Sequence, residues 1–77
     1  MTWSQMDAQA QIRLTVNGEP QTLPSGMMIG AYLEEKGVNP HRVVCELNER
    51  VIRRSELDQT ELKDGDALEI ITMMGGG

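Results

Sequence analysis

The chain has 77 residues and a net charge of -5, from 7 basic and 12 acidic side chains. That length makes one domain, and at this size folding buries only about 60% of the unfolded chain's surface, which argues against a large interior active site. No block of Lys or Arg follows a phosphate backbone, and Trp3 and Tyr32 are the only aromatics, so nucleic acid is a poor partner and a basic protein surface a better one.

Residues 1–11 (MTWSQMDAQAQ) are polar apart from Trp3, Met6 and two alanines, show no sustained period, and are expected to form a loose extension. Order begins at Ile12, where Ile12, Leu14 and Val16 alternate with polar residues as in a strand with one buried face. Asn17-Gly18 then suits a two-residue type I′ turn, because both positions tolerate positive φ. Glu19 to Leu23 reads as the returning strand, with Pro20 fitting a ladder edge.

Pro24-Ser25-Gly26 breaks the pattern, and from Met28 the period changes. Met28, Ile29, Tyr32 and Leu33 share one face of a helix, while Glu34, Glu35 and Lys36 point outward. Gly37 is placed to end that helix in the left-handed conformation, with Val38 folding back on the last turn. Gly30 inside so short a helix costs about 1 kcal/mol relative to Ala, which suggests a close approach to the sheet. With Met27 where a side-chain cap is wanted, Ser25 or a backbone arrangement has to satisfy the first turn.

After the Asn39-Pro40 connection, Val43, Cys45 and Leu47 alternate with Val44 and Glu46 as a third strand. Asn48-Glu49 turns into a short Arg50-Val51-Ile52 segment, and a polar stretch from Arg53 to Lys63 follows, anchored by Leu57 and Leu62. Asp64-Gly65-Asp66 signals a turn. Ala67 to Thr72 forms the last strand, with Leu68 and Ile70 on one side and Glu69 and Ile71 on the other. The fold class is therefore an α+β roll, a four- to five-stranded sheet with one main helix packed across it. The organisation is an extension over 1–11, a domain over 12–72 and a tail over 73–77, Met73-Met74-Gly75-Gly76-Gly77. Such a tail is either a frayed end or a side-chain-free tether that presents its own carboxylate.

Candidate reactive groups elsewhere are sparse. Cys45, the sole cysteine, excludes an internal disulfide or CxxC pair and suits a reducing cytosol; it sits in an alternating strand and reads as a buried, inert thiol. His41 has no ligand partners at metal spacing and reads as a solvated loop residue, so no metal is expected. Arg53-Arg54 reads as a solvated polar face. The acidic residues Glu34, Glu35, Glu46, Glu49, Glu56, Glu61, Asp64 and Asp66 read as mostly surface, their excess steering encounter with a basic partner. Ile71, if it faces outward, joins Met73 and Met74 in an apolar, partner-facing patch; the other reading packs it against the polar crossover. Nothing approaches a membrane span, and the first residues lack the features of a signal peptide, so a cytoplasmic location is expected.

The Asn17-Gly18 hairpin, the stretch VVCELNERVIRRSEL, the turn and strand LKDGDALEII and the terminal GGG together resemble the sulfur carrier proteins of thiamine thiazole biosynthesis, the ubiquitin-like ThiS family. The resemblance covers Ile12 to Gly77. It implies a β-grasp fold and a carrier, not an enzyme, whose Gly77 carboxylate is adenylated and converted to a thiocarboxylate that donates sulfur. Gly76, Gly75, Met74 and Met73 would then be the tail that partners recognise. The implied partners are an E1-like (ThiF-like) adenylating enzyme that uses ATP, a ThiG-like thiazole synthase, and a sulfur donor such as a cysteine desulfurase persulfide; no cofactor is bound. A related carrier for molybdopterin or cysteine synthesis, a ubiquitin-like protein modifier, and an interaction module with incidental glycines remain open at this point. The molybdopterin version is disfavoured because it resembles longer, Phe-richer chains.

Overall fold

The structure, a computed structural model, describes residues 11–73. The expected extension, apart from Gln11, and the tail residues Met74, Gly75, Gly76 and Gly77 lie outside the described residues. Five strands, β1 (Gln11–Val16), β2 (Glu19–Pro24), β3 (Val43–Leu47), β4 (Arg50–Ile52) and β5 (Ala67–Thr72), form one mixed sheet in the order β2-β1-β5-β3-β4. Only β1 and β5 run parallel, Thr15 facing Ala67 and Val16 facing Leu68. Among the described residues one α-helix, α1 (Ile29–Glu35), follows β2. The strand boundary corrects the expectation by one residue, since Gln11 belongs to β1 and pairs with Pro24. Its outward position in the alternation makes a polar side chain there uninformative.

Both two-residue hairpin loops are built by residues with positive φ. Asn17 and Gly18 (φ 52° and 84°) join β1 to β2, and Asn48 and Glu49 (54° and 69°) join β3 to β4. The two asparagines also hold β5 from its two sides. Asn17 Oδ1 accepts from the Ile70 amide (2.8 Å) and Asn48 Oδ1 from the Ala67 amide (3.0 Å). The approach to β5 is fastened in the same way: the Asp66 carboxylate accepts from Asn48 Nδ2 and the Lys63 amide, and the Asp64 carboxylate accepts from the Arg13 amide.

Helix α1 buries Ile29, Tyr32 and Leu33 against the sheet, at 0, 2 and 1% exposure. They join Ile12, Leu14, Val16, Leu23, Cys45, Leu57, Leu62 and Leu68 in one core. Each buried aliphatic contributes about 1.5–3 kcal/mol relative to exposure. The helix starts at Met28 without a side-chain cap. Its first free amides, those of Ile29 and Gly30, donate instead to the carbonyls of Thr60 and Leu57, both at 2.9 Å. The crossover between β4 and β5 thus caps the helix with its backbone, the second of the two arrangements expected.

The close approach at Gly30 is to this crossover and not to the sheet. A Cβ there would collide with Asp58 Oδ1 and stand 3.1 Å from Asp58 Cγ. At the other end Gly37 takes φ 72°, its amide donating to Glu34 O, while the Val38 amide donates to Leu33 O. These two bonds close the helix as a left-handed cap does.

Candidate functional site

The site is the end of β5 and the sheet face beside it. Because β5 lies between β1 and β3, its first half is held on both edges, by β1 at Ala67 and Leu68 and by the Asn17 side chain at Ile70, while β3 alone holds it on to Thr72, which pairs with Val43. The last fastening described is the Met73 amide, which donates to Arg42 O at 3.0 Å. The strand that leads to it cannot slide without breaking bonds on two sides. Met73 itself is 51% exposed.

Alternation along β5 sends Leu68 and Ile70 toward α1 and Glu69 and Ile71 to the opposite, helix-free face. Ile71 is 44% exposed and stands opposite Val44 in the register. Of the two readings of Ile71, the outward one therefore holds: the crossover packs on the other face. Next to that pair, Glu69 stands opposite Glu46, which in turn faces Val51 on β4, 59% exposed. The sequence placed Glu46 and Glu69 outward, but only the β3–β5 register brings them side by side, and no local pattern reveals that register. Of the expected site residues, Ile71 and Met73 are brought together near the exit; Met74, Gly75, Gly76 and Gly77 lie outside the described residues.

The other reactive groups are apart from this exit. Cys45 is buried on the core side of β3, and burial pushes its thiol pKa up from an ordinary value of 9.0, so it is a neutral thiol at neutral pH. His41 is exposed in a short 3-10 turn, Pro40–Arg42, where Asn39 Oδ1 accepts from its amide (2.9 Å). Arg53 and Arg54 line an open groove between the end of α1 and the crossover, with Val38 and Asp58. Among the described residues no cluster of His, Cys, Asp and Glu has the makings of a metal site, and no helix is long and apolar enough to cross a membrane.

Comparison with known proteins agrees with this geometry. The ThiS family model matches residues 10–77. The chain is 39% identical over 62 residues to the sulfur carrier protein ThiS of Thermus thermophilus, covering 80% of this chain and 95% of that one. It is 36% identical over 66 residues to a thiazole synthase of Paramagnetospirillum magneticum, a match over 86% of this chain that spans only 20% of the synthase. Among solved structures, the thiamine biosynthesis protein ThiS of Geobacter metallireducens superposes with a TM-score of 0.75 at 39% identity, covering 86% of this chain and all of that one. The mixed five-stranded sheet with one helix across it is accordingly a β-grasp fold, and the chain belongs to the ThiS family.

Proposed function

We propose that this chain is a sulfur carrier for thiamine biosynthesis and that the α-carboxylate of Gly77 carries the sulfur. The observation that carries the reading is a central, doubly paired β5 that delivers the chain to a helix-free exit at Met73, in a family match that runs on through Gly75, Gly76 and Gly77.

A carboxylate is a poor electrophile. An adenylating partner of the ThiF type makes it reactive by letting a carboxylate oxygen attack the α-phosphorus of ATP, with pyrophosphate as leaving group. A persulfide sulfur, supplied by a donor such as a cysteine desulfurase, then attacks the acyl carbon and releases AMP. Cleavage of the resulting acyl disulfide by a thiol leaves the thiocarboxylate and a disulfide. The carrier supplies no base, metal or cofactor of its own. Its part is steric: Gly76 and Gly77 keep the end of the chain thin enough to enter a narrow channel, first in the adenylating enzyme and then in a ThiG-like synthase. The synthase as recipient is supported by the thiazole synthase of Paramagnetospirillum magneticum, part of whose chain is similar to this one. All of these steps belong to the cytoplasm.

The test is the intact mass of the protein after incubation with ATP, the adenylating enzyme and a persulfide source, with the C-terminal fragment sequenced. Exchange of one oxygen for sulfur at Gly77 is the expected result. Deleting Gly77, or adding one residue beyond it, is expected to abolish loading while leaving the melting temperature unchanged. Sulfur found on the new last residue of the extended chain would overturn the steric argument.

A further inference from the structure

An open sheet has two edges, and each offers a row of backbone amides and carbonyls to any strand that comes beside it. Among the described residues those edges are β2 and β4. Which amides of β2 point outward follows from the bonds of its inner neighbour. The Thr15 and Asn17 amides and the Arg13 carbonyl turn to the β5 side, where they bond Asp66 O, Leu68 O and the Gly65 amide. Ile12, Leu14 and Val16 are therefore the residues of β1 that bond β2, and they stand opposite Leu23, Gln21 and Glu19. Alternation turns Pro20, Thr22 and Pro24 to the outside. Proline has no amide proton, so of these three positions only Thr22 keeps a donor.

The placement is selective. Two of the chain's three prolines stand in this strand, both at outward positions, whereas a proline at residue 21 or 23 would break a bond to β1. No charge guards the edge between them, since Gln21, Thr22 and Leu23 are all neutral. The β4 edge is protected in another way: the strand has three residues, and of the outward amides at Val51 and Arg53 the second donates to Glu56 Oε1 at 3.4 Å.

We propose that Pro20 and Pro24 close the β2 edge to strand addition, and that the strand they exclude is β2 of a second copy of this chain. A second copy always carries the same edge, and a two-fold axis through Thr22 would satisfy both chains at once. Antiparallel pairing about that axis sets Pro20 opposite Pro24 of the other copy and Gln21 opposite Leu23, with no like charges facing each other. Without the prolines this register would be bonded along its length. With them only the reciprocal Thr22 bonds survive, and pyrrolidine rings stand where the other donors would be. Self-association of this kind is a property of the sheet and does not depend on the chemistry at Gly77.

The experiment compares the full-length wild type, the double variant Pro20→Thr with Pro24→Thr, and a triple variant that adds Thr22→Pro, by sedimentation and by backbone amide exchange. The wild type is expected to sediment as a monomer, with its Thr22 amide exchanging at least about tenfold faster than those of Gln21 and Leu23. The double variant is expected to move toward twice the monomer mass as its concentration rises, with Thr22 exchange slowed at least about tenfold on association. The triple variant is expected to return to a monomer. Circular dichroism shows whether each variant folds; Pro24→Thr alone, which restores one donor, is expected to associate at higher concentration than the double variant and decides the question where the double variant does not fold. A folded double variant that stays monomeric overturns the proposal. So does association that leaves Thr22 exchange unchanged or that survives Thr22→Pro, either of which puts the contact elsewhere. A wild-type Thr22 amide as protected as its two neighbours overturns the outward orientation on which the proposal stands.

Discussion

Cys45 is the one side chain whose ordinary chemistry competes with the tail, and its surroundings disarm it. It sits on β3 opposite Ile70, 2% exposed, with a thiol pKa raised by burial. Tyr32 is shifted in the same direction, by burial first and by the nearby Glu35 last, against the lowering effect of its hydrogen bond to Gln21 (3.1 Å). For both, the fold favours the protonated form. The stabilisation is therefore complete below the unfolded-state pKa values and is lost as pH rises through the folded ones. Urea midpoints are expected to hold steady from about pH 7 to about pH 9 and to fall above that, with Cys45→Ala beginning its decline at higher pH than wild type. The same variant is expected to cost about 1 kcal/mol of stability and nothing in sulfur loading. Loss of loading from a folded Cys45→Ala protein would bring the thiol into the chemistry. The inert character of Cys45 was legible from alternation alone, because a period of two sends Val43, Cys45 and Leu47 to one face whatever they pair with.

Among the elements, α1 shows what local reading captures and what it omits. Its buried face, its glycine stop and the lack of a capping side chain at Met27 follow from residues close in sequence, which left Ser25 or a backbone arrangement to cap the first turn. The cap's acceptors do not: the Leu57 and Thr60 carbonyls lie in a crossover whose path is set by tertiary packing, with Leu57 and Leu62 buried at 5 and 0%. For the same reason the neighbour of Gly30 is Asp58 and not the sheet. That contact gives a double-mutant test. Gly30→Ala is expected to be neutral or destabilising in the wild type, because Asp58 has to move aside, and to stabilise by up to about 1 kcal/mol once Asp58 is Ala. Equal effects in both backgrounds, read from urea titrations, would show that Asp58 is not what requires a glycine. The turn asparagines make a similar point. Positive φ at Asn17 is readable from Asn-Gly, whereas the acceptor that Asn17 offers to Ile70, 53 positions along the chain, is not. Asn17→Ala is expected to cost about 1–2 kcal/mol, from lost left-handed tolerance together with the lost bond.

For the molecule as a whole, strand content and class were readable, but strand order was not, and function depends on the order. Placing β5 in the middle makes the tail's anchor the most supported strand and sets Glu46 against Glu69; both facts come from pairings between distant segments. A domain of this size has about 3–9 kcal/mol of net stability. Leu68→Ala, at 1% exposure, is expected to remove about 2–5 kcal/mol and leave a large unfolded fraction by circular dichroism, while deletion of residues 74–77 leaves the melting curve in place. The parallel arrangement of β1 and β5 has a mechanical side as well. The chain enters the sheet at the start of one and leaves at the end of the other, so a pull between Gln11 and Met73 drags two neighbouring strands past each other. The Thr15, Asn17 and Ile70 amide bonds across that seam are then strained together and not one after another like a zipper. A pull on the chain past Met73 therefore loads the sheet in the stiffest direction it possesses.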